Sequence, residues 1–214
     1  MRLVLPPLYV ILDAALLTSS ELDIAKQLLD AGVRLFQYRN KRASSRELLQ
    51  ASSALTAQLV PQGALFFVND RPDVAFLSGA SGVHVGQDDV PPAEARAVVG
   101  TETLVGVSTH NLEQFRVAAE SSADYVALGP VFATDSKANP DPVVGTAMIR
   151  EARTLTQKPI VAIGGITLDQ AREVLDAGAD SVAVISDILR AADPVKRARQ
   201  FLDLLELTKR SAKN

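Results

Sequence analysis

The residues in this chain that could do chemistry stand where apolar runs stop. The run Ala64-Leu65-Phe66-Phe67-Val68 breaks off in Asn69-Asp70, an amide and a carboxylate. An earlier run ends in Gln37-Tyr38-Arg39-Asn40-Lys41, and Val83-His84-Val85 ends in Gly86-Gln87-Asp88-Asp89. Side chains alternate along an extended segment, so Gln37, Arg39 and Lys41 share one side and Tyr38 and Asn40 the other. Two cations and an amide that converge make an anion site; the plain alternative is a solvated charged turn. Carboxylates from two neighbouring strand ends, with few other ligands, suit Mg²⁺, which keeps several waters and shares its remaining positions with a substrate phosphate. An Asp just ahead of a helix is also a common N-cap, so Asp70 and Asp89 carry that reading too. Chemistry alone does not separate Asp88 from Asp89.

A second set of polar residues follows. Ser108-Thr109-His110 closes another apolar run, with Ser108 read as a hydroxyl donor to an anion and His110 as a cap or a packed turn residue. His84 lies in mid-run and reads as core or as a structural hydrogen-bond donor. Thr134-Asp135-Ser136-Lys137 forms a second phosphate-binding cluster within the long connection 132–143, expected to close over a substrate. Gly164-Gly165 lets backbone amides approach a phosphate closely, and Ile185-Ser186-Asp187 ends the last apolar run. No Ser-His-Asp order and no strong general base stands out. The two anion sites, one of them metal-assisted, fit the departure of diphosphate from an activated carbon, where charge stabilisation does most of the work.

Composition narrows the classes. With 22 Lys and Arg against 25 Asp and Glu, the net charge of -3 gives no general nucleic-acid or membrane surface, so any anion is held by a few placed groups. The absence of cysteine excludes disulfides, thiolate metal sites and a Cys nucleophile. The N-terminal apolar run is too short for a signal peptide and no stretch spans a bilayer, so a cytoplasmic location is expected.

The elements that must position these residues alternate regularly. Strands are expected at 8–12, 33–37, 64–68, 83–85, 103–107, 125–128, 160–163 and 181–185. Helices are expected at 21–30, from Ser44 or Ser45 to 59, at 72–77, from Pro91-Pro92, from Asn111 to 120, up to 155, at 168–177 and at 194–207, with a frayed tail from about 209. The strands are short, rich in Val, Ile and Leu, and do not alternate with polar residues, as in a parallel sheet covered on both sides. Eight such units point to an α/β fold, a closed (β/α)₈ TIM barrel forming a single domain over 1–214. An open doubly wound sheet would favour a Gly-rich turn after the first strand, where Asp13-Ala14-Ala15 stands instead. In such a barrel the carboxyl ends of the strands build the active site.

Taken together and in order, these motifs resemble the thiamine phosphate synthase family from Tyr9 to about Ile188. The resemblance also rests on Gly106-Val107-Ser108-Thr109-His110, Gly129-Pro130-Val131-Phe132-Ala133-Thr134-Asp135-Ser136-Lys137 and Ala162-Ile163-Gly164-Gly165-Ile166. It implies Mg²⁺ on Asp70 and Asp89, and a pyrimidine diphosphate held by Gln37, Arg39, Lys41, Asn69, Ser108 and Lys137, with Tyr38 and Asn40 of the same stretch also expected among the substrate-binding residues. Of these, Arg39, Lys41, Ser108 and Lys137 would do the catalytic charge stabilisation. A thiazole phosphate would be held by Thr134, Ser136, Gly165, Ile185 and Ser186, with Asp135 between them also expected among the substrate-binding residues. Ser136 stands where the family usually has Thr, and Ala133 where it usually has Pro. The implied partners are these two small molecules, with no nucleic acid and no membrane; the oligomeric state, a homo-oligomer included, is left open. Two rivals share the fold: a thiazole tautomerase, which needs no diphosphate set, and a non-catalytic phosphate-ligand sensor.

Overall fold

The structure is a computed structural model that describes residues 3–134 and 141–211, with side chains as far as residue 205. Eight parallel strands close into a barrel in sequence order. They are β1 (Leu8–Asp13), β2 (Leu35–Arg39), β3 (Leu65–Asn69), β4 (Gly82–Val85), β5 (Leu104–Thr109), β6 (Tyr125–Leu128), β7 (Ile160–Ile163) and β8 (Ser181–Val184). The helices are α1 (Glu21–Asp30), α2 (Ser45–Leu59), α3 (Pro72–Ser78), α4 (Pro92–Val99), α5 (Leu112–Glu120), α6 (Gly145–Leu155), α7 (Leu168–Asp176), α8 (Ser186–Leu189) and α9 (Pro194–Ser211). This is the (β/α)₈ barrel that the alternation of elements predicts. Ser44 is the N-cap of α2 and forms a reciprocal box with Glu47. Asn111 caps α5 as expected, its side chain accepting from the Gln114 amide.

Several boundaries differ from the sequence expectation by one or more residues, and three of these differences have a clear local reason. β2 starts at Leu35, not at Val33. Gly32, at φ +112°, ends α1 and turns the Val33 amide back onto the Leu28 carbonyl, so Val33 and Arg34 belong to the helix terminus. β8 stops at Val184, because Ile185 leaves the extended region (φ -117°, ψ -82°) and starts the short helix α8, which the periodicity does not reveal. α9 continues past the expected Leu207 to Ser211, since no Gly or Pro follows to stop it.

Packing divides into two shells. The larger core lies between the sheet and the helices and takes the outward residues of every strand, among them Val10, Phe36, Val68, Val83 and Val126. A smaller cluster fills the barrel itself, built around Tyr9, Ile11, Leu35, Phe67, Tyr125 and Val161. Three of its rings interlock across the barrel floor: Tyr9 and Phe67 at 5.8 Å, and Phe67 and Tyr125 edge to face at 5.5 Å. Two glycines make room for them. A Cβ on Gly82 would come within 2.2 Å of the Phe67 ring, and one on Gly106 within 2.1 Å of the Tyr125 ring. Above this floor the inward positions turn polar, with Gln37, Asn69, His84 and Ser108 next in phase.

Candidate active site

The register of the strands decides which polar residues meet. Asp13 is the Cα partner of Arg39, and both are the last residues of their strands. An Asp13 Oδ2–Arg39 Nη1 ion pair results, while Asp13 Oδ1 accepts from the Ala15 amide at 3.0 Å. Asp13 is only 5% exposed, so its carboxylate fixes the guanidinium from below and leaves Arg39 facing the cleft. Lys41, beyond the end of β2, reaches Asp70 with Nζ 3.3 Å from Oδ2.

Asp70 is not a helix cap. Its backbone lies at φ +64°, unusual for a residue with a side chain. The N-cap of α3 is Arg71, whose guanidinium instead holds Asp73 (2.9 and 2.6 Å) and Ser45 (3.1 Å). The left-handed turn directs the Asp70 carboxylate at Asp89 from the next strand end. Burial raises the Asp70 pKa, the neighbouring Asp89 carboxylate raises it further, and Lys41 pulls it back in part. Asp89 is likewise no cap, since α4 starts after Pro91; its Oδ2 accepts from the Gly86 amide at 2.8 Å. Asp88 is exposed while Asp89 is half-buried, a difference that chemistry alone does not supply. Among the described residues no three His, Cys, Asp or Glu side chains gather as a ready-made metal cage. Two facing carboxylates beside a single lysine are a hard-oxygen set that fits Mg²⁺ completed by water and substrate.

The cleft over the barrel encloses about 880 Å³ of space open to solvent. Gln37, Arg39, Asn69, Ser108, Thr134, Gly165, Ile185 and Ser186 all line it, whereas Lys41, Asp70 and Asp89 are not among its lining residues. Thr134 arrives there because the chain after β6 keeps pairing with the end of β7: Val131 donates to the Ile163 carbonyl and Phe132 to that of Gly164. This approach explains Gly165, whose φ is +66° and whose Cβ would lie 2.3 Å from the Ala133 carbonyl oxygen. Ser186 opens α8, which is tied to α7 by Asp187 Oδ2 accepting from the Leu168 amide at 3.0 Å.

Some expected residues fall elsewhere. Tyr38 points outward into the core between sheet and helices, and its hydroxyl accepts from Asn40 Nδ2 at 3.2 Å. Asn40 Oδ1 in turn accepts from the Arg42 and Ala43 amides, both at 3.1 Å, and shapes the turn. Tyr38 and Asn40 thus border a separate outer groove and not the cleft. Asp135, Ser136 and Lys137 lie outside the described residues.

His110 corrects the sequence reading. It is neither a cap nor merely packed: its ring lines the cleft, with Nδ1 2.7 Å from the Gly129 carbonyl and Nε2 3.5 Å from Asp141. The sequence reading also passes over Asp13, Asp141, Tyr9 and Tyr125. Applying the Gln37-Arg39 alternation to β1 would have found Asp13 in phase with Tyr9 and Ile11; nothing in the sequence marks Asp141.

A closed parallel barrel with a charged cleft at the carboxyl ends of its strands defines the molecule as a (β/α)₈ enzyme-type barrel. The sequence pattern of a family described as thiamine monophosphate synthase matches residues 8–188, and the chain belongs to that family. The thiamine-phosphate synthase of Koribacter versatilis is 52% identical over 208 residues, covering 94% of this chain and 96% of its own. That of Chlorobium phaeovibrioides is 43% identical, covering 88% and 89%. Among solved structures, a thiamine phosphate pyrophosphorylase from Pyrococcus furiosus superposes with a TM-score of 0.86 at 35% identity, over 94% of this chain and 96% of its own.

Proposed function

We propose that this chain is a thiamine-phosphate synthase, a transferase that joins a pyrimidine diphosphate to a thiazole phosphate and releases diphosphate. The observation that carries the reading is that Arg39, Asn69 and Ser108 line one cleft, while on the adjoining strand ends Lys41 pairs with Asp70 and Asp70 faces Asp89. Arg39 and Lys41 hold the diphosphate and take up charge as it leaves; Asn69 and Ser108 donate hydrogen bonds to it, and Lys137 joins them. Asp70 and Asp89 hold Mg²⁺, which when bound neutralises the leaving group. The carbon–oxygen bond to diphosphate breaks with its electron pair on oxygen. The resulting pyrimidinyl methyl cation is stabilised by the pyrimidine amino group, and the thiazole nitrogen closes the new carbon–nitrogen bond. No strong base is required. Thr134, Gly165, Ile185 and Ser186, which line the same cleft, hold the thiazole phosphate together with Asp135 and Ser136. The protein works in the cytoplasm as one barrel domain on two small molecules; among the described residues no helix is long and apolar enough to cross a membrane.

The purified protein with both substrates and Mg²⁺ should produce thiamine phosphate. No product from folded protein that binds both ligands would sink the reading. A thiazole tautomerase is the second reading, favoured by one observation: His110 lines the cleft beside Asp141. His110→Ala separates the two, since a synthase tolerates the loss better than an enzyme that moves a proton with that ring.

A further inference from the structure

One line of hydrogen bonds runs through the barrel floor from one side of the cleft to the other. Gln37 Nε2 donates to Tyr9 Oη at 2.9 Å. Tyr9 Oη lies 3.2 Å from Tyr125 Oη, and Tyr125 Oη lies 2.8 Å from His84 Nδ1. His84 Nε2 lies 2.8 Å from Ser108 Oγ. Both ends, Gln37 and Ser108, line the cleft, whereas Tyr9 and Tyr125 are buried beneath it at 1% and 0% exposure. The geometry is held firmly. His84 stacks on Tyr125 at 22° and 5.6 Å, Tyr125 occupies the space that Gly106 leaves, and the Ser108 carbonyl accepts from Gln87 Nε2 at 2.7 Å.

Counting protons along this line gives it a direction. An amide nitrogen only donates, and each phenol has one proton to give. Burial keeps both phenols protonated. Tyr9, which accepts from Gln37, donates its hydrogen bond to Tyr125 Oη. Tyr125 donates its own to His84 Nδ1. His84 is then the neutral tautomer with its proton on Nε2, and it donates to Ser108 Oγ. The Ser108 oxygen is thereby occupied on the barrel side, and its proton turns to the cleft. In the opposite polarity, with the Gln37 carbonyl against Tyr9, Ser108 would spend its proton on His84 and offer the cleft only an acceptor. Diphosphate oxygens are acceptors, so only the first polarity helps them leave.

We propose that His84, oriented by Tyr125 and Tyr9, is a positioning residue that holds the Nε2–H tautomer and aims the Ser108 hydroxyl as a donor at the leaving diphosphate. The inference rests on the synthase reading for its chemistry, but the tautomer is a property of the free protein. In ¹⁵N NMR of the unliganded protein, whose only histidines are His84 and His110, His84 should show a protonated Nε2 and a bare Nδ1. The reverse pattern overturns the proposal whatever reaction the protein catalyses. Tyr125→Phe keeps the ring but removes the donor to Nδ1, and should abolish the tautomer preference; an unchanged spectrum counts against the relay.

The kinetic arm uses the active enzyme. His84→Phe keeps a flat ring on Tyr125 and should lower kcat by roughly tenfold to a hundredfold, the scale of one transition-state donor or less. KM for the pyrimidine diphosphate should stay within about threefold, because the contact matters most as charge develops. His84→Gln carries an amide nitrogen near the Nε2 position and should recover part of the loss. In a Ser108→Ala background His84→Phe should have no further effect. Persistence of its full effect there shows that His84 does not act through Ser108 and refutes the proposal. Should His84→Phe fail to fold, the spectrum and the His84→Gln variant decide the matter. If the wild type makes no thiamine phosphate, the synthase reading falls while the tautomer remains measurable.

Discussion

Asp13→Asn tests how the anion site is built. Asp13 and Arg39 face each other at the ends of β1 and β2, with their side chains 7% and 22% exposed. Removing one partner of a buried pair costs about 3–5 kcal/mol, because the other charge is stranded. Arg39 keeps part of its surface open to the cleft, where water and anions reach it, so the loss should fall to about 2–3 kcal/mol. Urea unfolding reads this as a lower midpoint at unchanged slope, by about 1 M if the slope is about 2 kcal/mol per M. The same variant should bind the diphosphate substrate more weakly, because the guanidinium is no longer aimed. Asparagine retains the shape and the acceptor to the Ala15 amide, so packing does not account for the change. A midpoint within about 0.2 M of wild type, with unaltered KM, would refute the view that Asp13 orients Arg39.

Asp70→Ala should abolish turnover far more than Asp88→Ala, by about a hundredfold or beyond against less than about twofold, in a steady-state assay with Mg²⁺; equal losses contradict the metal assignment. A pH series on the chelator-treated protein checks the carboxylate pair. An ordinary Asp titrates near 3.9, and Asp70 is raised above this by burial and Asp89, so the folded state binds the extra proton in the window above about pH 4. Stability should therefore fall as pH rises through that window, and Asp70→Asn should lack this decline; a wild type that parallels the variant across the range speaks against the pair. Gly106→Ala places a Cβ 2.1 Å from Tyr125 Cζ and 2.4 Å from its Oη, and overpacking of this kind costs about 1–3 kcal/mol. Thermal unfolding of Gly106→Ala should show the loss, and Gly106→Ala combined with Tyr125→Phe should show less of it than the sum of the two.

Much of the site was legible in the chain because of a simple rule. In a parallel barrel the chemistry sits at the carboxyl ends of the strands, and apolar runs that end in polar residues show those ends. Gln37, Arg39, Asn69, Ser108 and Gly165 reach the cleft for that reason. Alternation also placed Tyr38 and Asn40 on the other side of β2 from Gln37 and Arg39, and their side chains do point away. Boundaries were less legible. A helix terminus built on Gly32 absorbed Val33 and Arg34, and α8 is too short to carry any periodicity.

The sequence by itself therefore determined the order of elements, the closed parallel barrel and most of the residues at its mouth. Local patterns specify these: apolar runs set strands, caps and glycines set helix ends, and a period of two assigns faces. Only the tertiary structure decided which residues touch. The β1–β2 register sets Asp13 under Arg39, the φ of Asp70 turns its carboxylate toward Asp89 and away from a capping role, and Asp88 is left in solvent. The line from Gln37 to Ser108 joins residues from five strands, separated by as many as 116 positions between Tyr9 and Tyr125. Such contacts depend on the angle at which strands close around a common axis, and no window of sequence contains that angle.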